Sequence, residues 1–310
     1  MNAQKQNKLS RRDFLKKAGA GAAAIAAAQM FVASPASAGK APLEDAWGMM
    51  IDLTKCTGCN SCALACKEIN NLPRTDIVPH KLDSNAYTFV EECETCEVTG
   101  EDGLPQQYYV KHQCMHCVHP ACVSACTVGA LRKTPEGPVV YDADKCIACR
   151  YCQYACPFGV PTFDWRSLLG LIGKCDLCAE RLKEGQKPAC VEACPTGALR
   201  FGKRKELLAQ ARAQIDFNPE RYYDHIYGEH EVGGTSVLYL SAVPFTEIGF
   251  PEYGPEPIPR YAETVMTATP FTALTVAALA TGAHFAFKGR QQPQLAIESD
   301  EIGAEESDDQ

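Results

Sequence analysis

The sequence predicts a mixed fold of short β-hairpins and short helices, followed by one long apolar helix. Three observations lead there: cysteines in four closely spaced runs, a short motif that occurs twice, and a late stretch of 24 residues with no charged side chain. The chain has 310 residues, 18 of them cysteine, and a formal charge of −8 from 30 basic and 38 acidic side chains. That balance leaves a nucleic-acid partner without electrostatic support.

The chain opens on Ser10-Arg11-Arg12-Asp13-Phe14-Leu15-Lys16, with basic residues before it and an Ala/Gly-rich stretch after it. Ala36-Ser37-Ala38 supplies a small-residue cleavage site. Paired Arg11 and Arg12 fit a twin-arginine export signal over residues 1–38. An ordinary secretory signal or a membrane anchor is the plainer alternative. The twin-arginine route carries folded cargo, which suits a chain that receives its cofactors in the cytoplasm. The mature chain is expected to begin near Gly39.

The four runs come next. The first is Cys56, Cys59, Cys62 and Cys66; the second is Cys114, Cys117, Cys122 and Cys126. The third, Cys146, Cys149, Cys152 and Cys156 with Pro157 behind it, has two-residue gaps and then a three-residue gap. The fourth is Cys175, Cys178, Cys190 and Cys194, followed by Pro195. The third run has the spacing of the bacterial iron–sulfur motif, in which three thiolates reach one cluster and the fourth ligates its neighbour. A disulfide framework is the plain reading of so many cysteines in an exported chain, but these lie too close together to pair comfortably. Structural zinc uses C-x-x-C pairs and does not explain four thiolates in one short loop. Four runs of four use 16 of the 18 cysteines, enough for four [4Fe–4S] clusters.

Ala125-Cys126-Thr127-Val128-Gly129-Ala130-Leu131 is echoed by Ala193-Cys194-Pro195-Thr196-Gly197-Ala198-Leu199. In each copy the glycine permits a tight turn, and a short strand is expected after it. Gly137 to Tyr141 reads as the returning strand of a small hairpin. A domain built this way is held largely by its metal, because metal-binding free energy is folding free energy here. Lys67 to Val110 reads as a variable stretch holding the extra pair Cys93 and Cys96, for which a disulfide and a half-site for a metal are both open.

Lys203 to Gln214 has helical composition, Ser236 to Val243 reads as a strand, and Gly249 to Pro259 is a Pro-rich linker. Thr264 to Phe287 is long enough to span a bilayer, and Lys288 and Arg290 follow it. Its threonines and Pro270 leave a buried core helix as the alternative. Gln291 to Gln310 holds seven acids and no base and reads as a disordered tail. Covalent haem, nucleotide-loop and Ser-nucleophile motifs do not occur. His112, His116 and His119 flank the second run and are expected to hydrogen-bond near sulfur or face solvent. His284 lies in the apolar stretch, as an interfacial residue or as a haem or quinone contact.

With these residues in view, the chain resembles the four-cluster electron-transfer subunits of respiratory oxidoreductases. The resemblance covers about Trp47 to Phe287 and rests on the 16 cysteines, on Gln113-Cys114-Met115-His116-Cys117, on Cys149-Arg150-Tyr151-Cys152, and on Val232-Gly233-Gly234-Thr235 with Val243-Pro244. A signal of its own and a single late helix look most like the hydrogenase-2-type periplasmic subunit; Cys93 and Cys96 depart from that pattern. The resemblance implies an α+β fold of two interleaved double-cluster ferredoxin modules plus a C-terminal transmembrane helix. The outer module would span about 46–107 and 165–204, and the inner about 108–164. An extension over 205–260, a transmembrane helix over 264–287 and an acidic cytoplasmic tail over 288–310 would follow. It also implies shared ligation: Cys56, Cys59 and Cys62 with Cys194; Cys175, Cys178 and Cys190 with Cys66; Cys114, Cys117 and Cys122 with Cys156; and Cys146, Cys149 and Cys152 with Cys126. The implied role is a relay with no catalytic residue of its own. Its partners would be a periplasmic catalytic or electron-donor subunit, foremost a [NiFe] hydrogenase, and a polytopic quinone-reactive membrane subunit (NrfD-like). Formate dehydrogenases, polysulfide or sulfur-compound reductases and multihaem cytochrome complexes are the alternative settings.

Overall fold

Strand β1 (Trp47–Asp52) lies at the centre of the largest sheet, between β8 (Leu199–Lys203), which is antiparallel to it, and β9 (Val237–Leu240), which is parallel. The computed structural model describes residues 45–73, 79–99, 105–166 and 170–302, so the export signal expected over residues 1–38 lies outside the described residues. Side chains alternate across this sheet, as a period of two requires. Met49, Ile51, Val237 and Tyr239 face the core beside the cysteines. Met50, Leu238 and Leu240 face the other way, against Leu207, Ala211 and Ile215.

Those last three residues recur every four positions and form one face of a 14-residue helix, Arg204–Phe217. Burial of Leu207 and Ile215 contributes about 1.5–3 kcal/mol each. Buried Arg204 at the helix start donates to the carbonyls of Thr235 (2.7 Å) and Glu229 (3.0 Å), tying the following extension back to the sheet. Helix and strand both fall where the sequence placed them.

The variable stretch after the first run contains a hairpin, β2 (Thr88–Thr99) with β3 (Pro105–Gln113), paired from Thr88↔Gln113 to Thr99↔Pro105 with a bulge between Cys93 and Val98. Sequence reading had not resolved it, because its acidic residues obscure the alternation. Tyr239 donates to the Lys111 carbonyl (2.9 Å) and the Tyr108 hydroxyl meets Ser241 Oγ (3.0 Å), so the C-terminal extension braces β3. Around the second and third runs, β4 (Leu131–Lys133) pairs with β5 (Val139–Tyr141), and β6 (Thr162–Phe163) with β7 (Ile172–Gly173). They close a small core of Leu131, Val139, Phe163 and Ile172 with Cys122 and Cys152. Both repeat copies lead into a strand, β4 and β8, as expected.

Labelled in chain order, the helices are α1 (Ser61–Ile69), α2 (Ala121–Ser124), α3 (Tyr151–Ala155), α4 (Ala179–Lys183), α5 (Ala189–Glu192), α6 (Arg204–Phe217) and α7 (Arg260–Ile302). Within α7, Ala262–Phe285 is long and apolar enough to cross a membrane. Its threonines do not weaken that reading. Thr264, Thr267, Thr269, Thr272, Thr275 and Thr281 each donate Oγ1 to the carbonyl four residues back, at 2.7–2.9 Å, so no hydroxyl is presented unpaired to hydrocarbon. The helix also continues to Ile302, through the start of the stretch whose acidity reads as disorder. Gln, Leu, Ala and Glu favour helix there, and Pro293 removes one hydrogen bond without ending it.

Candidate cofactor site: four cysteine quartets

Each run begins with the same backbone device. The second residue after the first cysteine is left-handed: Gly58 (φ 69°), His116 (φ 47°), Ala148 (φ 57°) and Leu177 (φ 59°). For a residue with a Cβ this costs about 1–2 kcal/mol. The turn directs amides at sulfur: Ala148 N–H donates to Cys146 Sγ (3.4 Å) and Leu177 N–H to Cys175 Sγ (3.3 Å). Gly58 has a second constraint, because a Cβ there would lie 2.4 Å from the Tyr109 ring. Three of the closing cysteines have a matching turn. Gly129, Gly159 and Gly197 sit three residues after Cys126, Cys156 and Cys194 with φ near 60°, and each amide returns to the cysteine carbonyl. Gly159 and the left-handed non-glycine residues were not anticipated; a fixed offset from cysteine was their only signal.

The turns carry each fourth cysteine away from its own run. Cys66 joins Cys175, Cys178 and Cys190 in the lining of one small cavity that opens to solvent. Cys194 joins Cys56, Cys59 and Cys62 in the lining of another. Cys156 lies within electrostatic reach of Cys114, Cys117 and Cys122, and Cys152 of Cys126, Cys146 and Cys149. Eight of the 16 predicted cysteines thus line two cavities, and the other eight stand close to one another around the second and third runs.

The quartets also form a series. Cys62 interacts with Cys190, Cys175 with Cys114, and Cys122 with Cys152. The quartet of Cys56 stands at one end and that of Cys146 at the other. Each end has an exposed cysteine, Cys59 and Cys149 respectively.

Burial pushes the thiols of Cys66 and Cys122 up to about 12 and those of Cys152 and Cys190 to about 11. Neighbouring cysteines act in the same direction, so four thiolates share such a space only with cations among them. Among the described residues, no three His, Cys, Asp or Glu side chains converge on a single metal-ion position. Tetrahedral zinc requires all four sulfurs at about 2.3 Å; sulfurs ringed around a cavity suit a polynuclear group instead. His116 Nδ1 accepts the Val139 N–H (2.9 Å), which leaves the ring N–H on buried Nε2 with no protein acceptor, while the Arg150 guanidinium lies over the rings of Phe163 and Trp165.

The remaining sequence candidates fall elsewhere. Cys93 and Cys96 form a disulfide at the β2 bulge, which removes them from the ligand set. His112 pairs with Glu91 (2.6 Å) and stacks between Phe89 and Phe250, a packing role. The His119 ring lies against Gly233, and His284 lies edge-on to Phe285 on α7. What sequence reading missed is a set of lysines close to the quartets, the buried Lys111 and Lys174 and the half-buried Lys133.

The 4Fe-4S dicluster domain family matches residues 105–204. A protein of Nitratidesulfovibrio vulgaris is 40% identical over 92% of this chain and 78% of its own. The hydrogenase-2 operon protein HybA of Escherichia coli O157:H7 is 37% identical over 79% of this chain and 84% of its own. The iron–sulfur subunit of the nitrate-inducible formate dehydrogenase of Escherichia coli K12 is 35% identical over 62% of this chain and 66% of its own. With the cysteine quartets and these similarities together, the chain belongs to the ferredoxin-type iron–sulfur electron-transfer subunits that include HybA.

Proposed function

We propose that the chain is the electron relay between a periplasmic catalytic subunit, foremost a [NiFe] hydrogenase, and a quinone-reactive integral membrane subunit. The observation that carries this reading is the unbroken series of four cysteine quartets with an exposed cysteine at each end. Each quartet is assigned one [4Fe–4S] cluster, which when bound accepts and releases single electrons. The chain's own residues hold the sulfurs in place, direct amide N–H groups at them, and exclude water with Met49, Ile51, Val90 and Leu177, which line the outer cavities. Pairing of β1 with β8 joins the first and fourth runs, and the small core joins the second and third. That supports an inner module of about 108–164 set within an outer one of about 46–107 and 165–204.

A formate dehydrogenase-type or sulfur-compound reductase setting is the second reading, favoured by the 35% identity to a formate dehydrogenase iron–sulfur subunit. A signal of its own and a single late helix favour the hydrogenase-type assembly. Purifying the native complex and identifying its other chains separates the two settings.

Iron analysis of the loaded protein is expected to give about 16 atoms per chain with zinc substoichiometric. A value near eight would remove two of the four clusters. Export is expected to depend on the paired arginines: Arg11→Lys with Arg12→Lys leaves a cluster-loaded precursor in the cytoplasm. Fractionation that finds the double variant in the periplasm would overturn the assigned route.

A further inference from the structure

Lys111 is 2% exposed and sits on β3 between the two outer cavities. It lines the cavity of Cys56, Cys59, Cys62 and Cys194, while its partners Thr88 and Gln113 line that of Cys66, Cys175, Cys178 and Cys190. Its ammonium donates to Thr88 Oγ1 (2.8 Å) and Gln113 Oε1, both neutral. Thr88 is fixed in turn by the His112 carbonyl (2.8 Å), and Gln113 Nε2 by Met49 Sδ (3.4 Å). Lys111 has no ion pair with a carboxylate among the described residues. Lys174 repeats the pattern one gap further on. It is 5% exposed, donates to the carbonyls of Val139 (2.6 Å) and Cys175, and has no carboxylate pair among the described residues.

An isolated ammonium taken out of water costs several kcal/mol unless an opposite charge compensates it. Around Lys111 the opposite charge is on sulfur. Lys111 itself lines the cavity of Cys56, Cys59, Cys62 and Cys194, and the two side chains it bonds line that of Cys66, Cys175, Cys178 and Cys190. Lys174 precedes Cys175 directly, and its ammonium donates to the carbonyls of Cys175 and Val139. A fixed positive charge between two centres favours whichever state carries more negative charge, which is the reduced one.

We propose that Lys111 is a tuning residue of the relay, a buried ammonium that holds up the reduction potentials of the two centres on either side of it, with Lys174 doing the same at the next gap. The proposal rests on the electron-relay reading. One electron arriving at either flanking centre adds one negative charge beside the ammonium, and no proton transfer or bond change accompanies it.

The test is a redox titration followed by electron paramagnetic resonance on the full-length, cluster-loaded protein. The signals are assigned beforehand with Cys194→Ser and Cys190→Ser. Lys111→Met removes the charge and keeps the volume. It is expected to lower the reduction equilibrium of those two centres about tenfold or more, a shift of about 59 mV or more for a one-electron couple, and to leave the other two in place. Gln113→Glu is the second variant: it keeps size and hydrogen bond and sets a carboxylate against the ammonium. It is expected to shift the same two centres in the same direction. A purely structural lysine would give no downward shift in Lys111→Met with the clusters retained, because only loss of its charge moves the potentials. Unchanged potentials, an equal shift of all four centres, or loss of the clusters in Gln113→Glu would each overturn the proposal. Wild-type protein without [4Fe–4S] signals would instead overturn the relay reading beneath it.

Discussion

Cys194→Ser is expected to damage the centre of Cys56, Cys59 and Cys62, at the opposite end of the cluster-bearing sequence, and to spare the centre of its own run. Cys194 lines the cavity of the first run with Thr196, Ala198 and Leu199, while Cys175, Cys178 and Cys190 line a cavity with Cys66. Serine is a poorer ligand for cluster iron than a thiolate, so loss of about four of sixteen irons or conversion of one signal is expected. The reciprocal variant, Cys66→Ser, should strike the centre of Cys175, Cys178 and Cys190. Two outcomes of magnetic spectroscopy would refute the pairing: loss of the signal of the mutated run, or loss of both. Because a cluster shared by Cys56, Cys59, Cys62 and Cys194 would tie the loop after β1 to the turn before β8, Cys194→Ser should also lower thermal stability, since binding free energy here is folding free energy.

Removing the chain from Thr264 onward is expected to release a soluble, cluster-loaded protein and to reduce quinone-coupled electron transfer to background. At about 1.5 Å per residue, 24 residues reach roughly 36 Å, against about 30 Å of hydrocarbon, so the helix is long enough to cross with some tilt. With the cluster-bearing part exported, Lys288 and Arg290 fall on the cytoplasmic side, in line with the positive-inside bias. Ala273, Ala277, Ala280 and Gly282 allow close approach of a membrane partner, and the paired threonine hydroxyls remove the main polar cost of the span. Iron content should be unchanged, which separates loss of the anchor from loss of the cofactor. A truncated protein that stays in the membrane fraction with full quinone reduction would show that something else anchors it. Labelling of a cysteine placed in the tail, reactive from the cytoplasm alone, checks the orientation.

The four cysteine runs, the repeat, α6 and the apolar helix were legible in the sequence because each is a local pattern. Thiolate spacing, a glycine at a tight turn and an apolar face recurring every four residues are dictated by covalent geometry within a few residues. The exchange of the fourth cysteines entered only through resemblance, since spacing alone leaves each run free to close on itself. The β2–β3 hairpin was missed because Glu91, Glu92 and Glu94 interrupt its alternation. The disulfide of Cys93 and Cys96 stayed undecided because C-x-x-C is common to several chemistries.

The candidate ligands, their local grouping and the long apolar stretch were legible in the sequence alone. Tertiary structure decided which sulfurs share a cavity and in what order the quartets follow one another. It also decided that buried ammoniums stand between them. Lys111 shows why. On the sequence it is one lysine in a polar strand, ordinarily solvated. Only the pairing of β3 with β2 and the bracing by Tyr239 and Ser241 withdraw it from water and set it between two groups of thiols. A charge acts through distance and dielectric, and both are properties of the folded chain.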